Sequence, residues 1–277
     1  MLVAGAVGLL VAMLALAPSV ARATVNVEKQ RPEDLEGLGG ALELAGSATV
    51  GNVDAIVVEG EGRLYWTRAQ HHVLLFGDGA FGSERSVLAG PPPPGPLVGA
   101  VFQWQNAASL FVGYGRDLSD SWRAEAQATI GFDRFLLLQR RTTVGPGVRW
   151  EAWDRERTDA HLGVGAILEQ ELSNGAYIVG EDPDRTRLRG SSYASLGWTP
   201  ADTFSTLATV YVQPVLVDPS DLRLLVELDM SAPLTERVSV GLELEARLDT
   251  DPPRTVPGVP ALARWNGRLQ QTLELSF

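Results

Sequence analysis

Between Val238 and Leu248 every even position is apolar, and every odd one is polar, charged or glycine. Successive side chains of a strand point to opposite faces, so this segment is a strand with one apolar and one polar face. The period of two recurs along the chain. Ile56, Val58, Leu64 and Trp66 alternate with Glu59, Glu61, Arg63 and Tyr65, and Trp122 to Ile130 alternate with Arg123 to Thr129. Leu162, Val164, Ala166 and Leu168 oppose His161, Gly163, Gly165 and Glu169, while Leu222 to Leu228 oppose Arg223, Glu227 and Asp229. In the last segment the apolar set moves to the odd positions Leu269, Leu273, Leu275 and Phe277.

The pattern predicts roughly twelve segments of about 10 residues or more, the length of tilted strands crossing a bilayer. They fall near 38–50, 54–66, 71–82, 98–117, 121–132, 137–152, 158–172, 185–198, 202–216, 221–231, 236–249 and 262–277. The fourth is long enough to be read as two pieces. Pro146 and Pro214 lie within strand patterns, where a ladder tolerates proline only at bulges or strand ends.

Connections and aromatics decide what touches the apolar face. Turns after even-numbered strands are short: 67–70, 118–120, 154–157, 199–201 and 232–235. The longest loops, 83–97, 173–184 and 250–261, fall at the other end. Trp66, Trp122, Trp150 and Trp198 lie on the apolar parity at the short-turn end, with Phe204 and Phe277 at the same level. An aromatic girdle at a membrane interface has this arrangement, because the ring is apolar and the indole N–H seeks a wet partner. The expected fold class is therefore all-β, a transmembrane antiparallel up-and-down β-barrel of about 12 strands. A soluble periplasmic β-sandwich or lipid carrier is the alternative.

The amino terminus carries an apolar run from Leu2 to Ala17, then Pro18 and Ala21-Arg22-Ala23. This reads as a signal peptide over 1–23, followed by a periplasmic lead-in over 24–37 and the barrel over 38–277. The expected location is the outer membrane of a Gram-negative-type envelope, with outer-membrane lipid as the surrounding partner. A net charge of -11 argues against nucleic acid, since phosphate binding needs a basic surface. Lys29 is the sole lysine, and there is no cysteine, which removes disulfides, thiolate metal sites and a cysteine nucleophile.

The polar face carries both charges. Glu169 and Glu171 end one strand and Arg185, Arg187 and Arg189 begin the next, so they can face one another across a hairpin. Glu243, Glu245 and Arg247 neighbour Arg223, Glu227 and Asp229. Inside a narrow barrel these side chains either fill the lumen as a paired polar core or line a passage for small solutes. An outer-membrane lipid hydrolase needs a serine–histidine pair near the outer leaflet. The three histidines, His71, His72 and His161, fall at the opposite end, and no serine is matched to them. No catalytic residue, metal site or cofactor is expected.

Several short pieces occur in one order along the chain: Asn26-Val27-Glu28-Lys29-Gln30-Arg31, Val50-Gly51-Asn52 and Arg141 to Val148. They continue with Tyr211-Val212-Gln213-Pro214, Asp221-Leu222-Arg223, and Arg247 to Pro253. In this the chain resembles the YdiY-like salt-induced outer-membrane proteins, a family named as a domain of unknown function. The resemblance implies an outer-membrane barrel of undefined activity and carries no catalytic residues. Leu273-x-Leu275-x-Phe277, ending on an aromatic, looks like the recognition signal of the barrel-assembly machinery, the expected partner during biogenesis.

Overall fold

The computed structural model describes residues 27–29, 36–49, 53–86, 101–134, 136–201, 203–256 and 264–276. The expected signal peptide and Phe277 lie outside them. Twelve strands follow in order, beginning with β1 (Gly37–Thr49), β2 (Val53–Arg68), β3 (His71–Ser86) and β4 (Val101–Ser119). Next come β5 (Trp122–Asp133), β6 (Leu138–Arg155), β7 (Thr158–Ser173) and β8 (Asp184–Ala201). The last four are β9 (Phe204–Pro214), β10 (Leu222–Pro233), β11 (Val238–Asp249) and β12 (Trp265–Ser276). Each pairs antiparallel with its sequence neighbours, and β1 closes on β12 to complete one barrel. Closure gives every strand two partners and so satisfies backbone groups that hydrocarbon cannot. It also excludes a two-sheet sandwich.

The alternation read from sequence becomes two faces. Val240, Leu244, Leu42, Leu64, Val164 and Leu188 are exposed on the outer surface, while Glu43, Glu243, Glu245 and Arg247 are buried inside. Trp66, Trp122, Trp150 and Trp198 are exposed at the short-turn end. Trp122 and Trp150, directly paired across β5 and β6, stack with ring centroids 5.9 Å apart. Phe204 is half-buried at that level. Leu273 and Leu275 face outward on β12.

Three expectations change. The fourth segment is one strand of 19 residues, paired without a break to β3 from Val101 to Arg116, with a register shift against β5 between Asp117 and Ser119. The turns at 67–70 and 199–201 are tighter than expected, because β2 runs to Arg68 and β8 to Ala201. Residues 27–29, expected in a lead-in segment beneath the barrel, lie inside it. The Val27 N–H donates to the Tyr211 hydroxyl at 3.0 Å, and the Val27 side chain packs on Leu74, Phe76 and Phe111. Pro214 ends β9, registered with Leu222 of β10, and Pro146 is registered with Ala126 of β5 at a place where the β6–β7 pairing is interrupted between Val144 and Gly147.

Candidate functional site

The lumen is the site, and its long-loop half is an arginine–carboxylate network. Glu169 is registered opposite Arg187 and Glu171 opposite Arg185, as the hairpin pattern anticipates. The side chains pair on the diagonal instead. Arg189 Nε donates to Glu169 Oε1 at 2.9 Å, and Arg187 Nη1 to Glu171 Oε2 at 3.1 Å. Arg185 turns to Glu181 and to Asp251 at 3.6 Å. Arg223 reaches across from β10 to Glu169, to Glu171 at 3.0 Å and to Asp249 at 3.0 Å. Arg141 adds a bond to Glu171. Arg189 has no exposed surface and also donates to Asp221 Oδ1 at 2.9 Å. A guanidinium fork suits such multiple carboxylate contacts, and they offset the cost of removing the charges from water.

Nearer the short turns the register places like charges opposite each other: Glu227 against Glu245, and Asp229 against Glu243. Such pairs are destabilising unless a cation joins them. Arg247 serves Glu245, with Nε 2.7 Å from its carboxylate. For the other pair the cation comes from outside the wall. Lys29 Nζ lies 2.5 Å from Glu243 Oε2 and 3.1 Å from Asp229 Oδ1, with 11 % of its side chain exposed. Burial works against this ammonium, but Glu243, Asp229, Glu61 and Glu43 outweigh it and hold its pKa well above the ordinary lysine value. Glu28 completes the segment by accepting from Arg149 Nη2 at 3.3 Å, while Arg63 Nη1 donates to the Lys29 carbonyl at 3.4 Å.

Three consecutive residues thus reach across the lumen, with contacts on β2, β3, β4, β6, β9, β10 and β11. From them a cavity of about 1120 Å³ extends to Glu156 and Arg157 in the β6–β7 turn. On the other side of Val27, Phe111 and Tyr211 a crevice of about 50 Å³ leads to Gln213 and Glu169. Glu227, Glu243 and Glu245 have carboxylate oxygens within 4.8 Å of one another and offer the ligand type of a hard cation. Arg247 and Lys29 are the positive charges already placed on that group.

The histidines do not gather. His71 Nδ1 meets the Tyr114 hydroxyl at 2.7 Å on the outer face, and His161 Nε2 lies 2.9 Å from Asp159. His72 stands between the Thr67 hydroxyl, 3.3 Å from Nδ1, and Asp117, 2.7 Å from Nε2, and Asp117 is also bound by Arg123 at 2.6 Å. This hydroxyl–imidazole–carboxylate row is a threonine arrangement that a search for serine misses. Acyl transfer also needs paired donors for an oxyanion, and Thr67 and His72 are directly registered in the β2–β3 ladder, which engages their backbone groups.

The charged lumen and outward girdle belong to a barrel built as one piece, and a family model covers most of it. Residues 42–256 match the family described as a protein of unknown function, DUF481. The chain belongs to this family. The DUF481 match takes in the pieces from Val50-Gly51-Asn52 to Arg247–Pro253, while Lys29 precedes it. No curated protein matches. Among solved structures the chain is similar to an outer membrane channel from Pseudomonas putida F1, at 12% identity and a TM-score of 0.54, covering 92% of this chain and 100% of that one. The KdgM porin aligns at 8% identity and a TM-score of 0.47, over 87% of this chain and 99% of that one. The likeness to the channel, at its identity, bears on the fold alone.

Proposed function

We propose that this DUF481 protein resides in the outer membrane as a narrow, charge-lined pore for small solutes, cations in preference, and that the conformation described is its closed state. One observation carries the reading: residues 27–29, which are not part of the wall, lie across the lumen between the acidic cavity and the crevice that leads to Glu169. The cavity beneath them is lined by Glu43, Glu125, Glu151, Asp159, Asp229 and Glu243, and carboxylates outnumber cations among its lining residues. Acidic linings select cations. Facing the arginine bank beyond Phe76 and Phe111, the inward positions of β3 and β4 are the small or short side chains of Asp78, Ala80, Ala107 and Ser109.

A structural, envelope-supporting barrel is the second reading, favoured by the burial of Arg189, Glu169 and Glu171. The narrower placement among YdiY-like salt-induced proteins rests on the ordered short segments alone. Export by a cleaved signal peptide and insertion by the barrel-assembly machinery complete the proposal.

Planar-bilayer recording in a salt gradient tests it. The pore reading expects discrete conductance steps and a reversal potential displaced toward the cation. A protein that shows heat-modifiable migration, and so a folded barrel, yet stays silent at all voltages would establish the structural reading instead.

A further inference from the structure

The wall of this barrel contains a cation site, and the chain fills it with its own ammonium. Asp229 and Glu243 face each other on β10 and β11, and Glu43 and Glu61 approach from β1 and β2 across the closure. Four carboxylates from four strands converge there, and the cation they hold comes from a segment that no strand contains. Lys29 enters this nest with Nζ at hydrogen-bond distance from two of them, 2.5 and 3.1 Å. Other holds on the segment include Val27 against the Leu74, Phe76 and Phe111 cluster, its N–H on Tyr211, Glu28 on Arg149, and Arg63 on the Lys29 carbonyl. The nest opens onto the large acidic cavity, so a solute arriving from the short-turn end reaches it without crossing the arginine network.

We propose that Lys29 is a tethered ligand: it occupies a site for solutes bearing a primary ammonium group, and such a solute displaces residues 27–29 by taking its place. This rests on the pore reading for its gating consequence, though not for the binding site itself. The ligand class follows from geometry. Two carboxylate oxygens at these distances are met by N–H donors directed at each, which a primary ammonium has and a quaternary ammonium lacks. Removing the Lys29 charge takes away the ammonium that joins Asp229 to Glu243, which favours an external cation of the same shape in the nest.

Calorimetry in detergent reads the site without any current, using 1,4-diaminobutane as the probe and tetramethylammonium as the control. Lys29→Met is expected to bind the diamine at least about tenfold more tightly than wild type, whose site is filled. It should ignore tetramethylammonium, and Lys29→Met with Glu243→Gln should lose the diamine. Absence of diamine binding to a heat-modifiable Lys29→Met barrel overturns the proposal, as does equal binding of both cations. If that variant does not fold, the wild-type chain decides. Lys29 should be acylated by an amine reagent much more slowly in the folded barrel than after heat unfolding, and equal rates overturn the seat. In bilayers Lys29→Met should open more often than wild type and be blocked by the diamine. Diamine binding with silent bilayers leaves the site standing and overturns the pore reading alone.

Discussion

Arg189 gives its Nε–H to Glu169 Oε1 at 2.9 Å with none of its own surface in contact with solvent. The same guanidinium reaches Asp221 at 2.9 Å, so one side chain ties β7, β8 and the β9–β10 connection inside the barrel. Arg189→Met takes one buried guanidinium from Glu169 and Asp221, which keep Arg223 and Arg187 respectively, and should destabilise the barrel by about 1.5–3 kcal/mol. Urea titration of the heat-modifiable band measures it. Arg189→Lys keeps the charge without the fork and should recover only part of the loss.

Leu244 and Glu245 are sequence neighbours on opposite faces, one exposed outside and the other buried inside. If the outside is lipid, Leu244→Arg at mid-strand should cost about 2–4 kcal/mol in refolding into vesicles, and Leu234→Arg, in a short turn, about 0–1. Equal small costs at both positions would mean that water covers the outer face.

Gly163 on β7 is registered opposite Tyr193 on β8, and a Cβ there would run into the Tyr193 ring. Gly163→Val should therefore destabilise the barrel by about 1–3 kcal/mol. Tyr193→Ala in the same chain should remove much of that penalty, because the two changes share one contact. The coupling, read from a double-mutant cycle of unfolding midpoints, separates this clash from a general loss of strand flexibility.

The Lys29 seat has a pH signature. Its pKa lies above the ordinary value of 10.5, so its contribution is complete below that value and is lost as pH rises through the folded pKa above it. Tryptic cleavage after Lys29 should be suppressed from neutral pH up to about 10, the ordinary amine range. Cleavage in Asp229→Asn should proceed across the whole interval.

The strand count, the two faces and the hairpin facing Glu169 and Glu171 to arginines were all legible, because period-two alternation acts locally and closure follows from having no edge. The diagonal choice of partners was not, since register alone does not say which rotamer reaches which carboxylate. The role of residues 27–29 was hidden for another reason. Lys29 and Glu243 are 214 positions apart, and a polar stretch before the first strand looks the same whether it hangs below a barrel or threads it. Two clues stood in the chain all the same: Asp229 and Glu243 share the inward parity of neighbouring strands, and Lys29 is the one lysine available.

The ring is not stitched evenly. Strands β2 and β3 pair from Val53 with Ser86 to Arg68 with His71, whereas among the described residues β1 and β12 pair only from Ala41 with Ser276 to Leu44 with Leu273. Among the described residues, these four pairs form the clasp of the hoop. Any outward pressure on the wall therefore concentrates at that short seam. Glu43, one of the acids around Lys29, sits in the middle of the clasp. What occupies the lumen and how tightly the cylinder is buttoned are, through that one residue, mechanically linked.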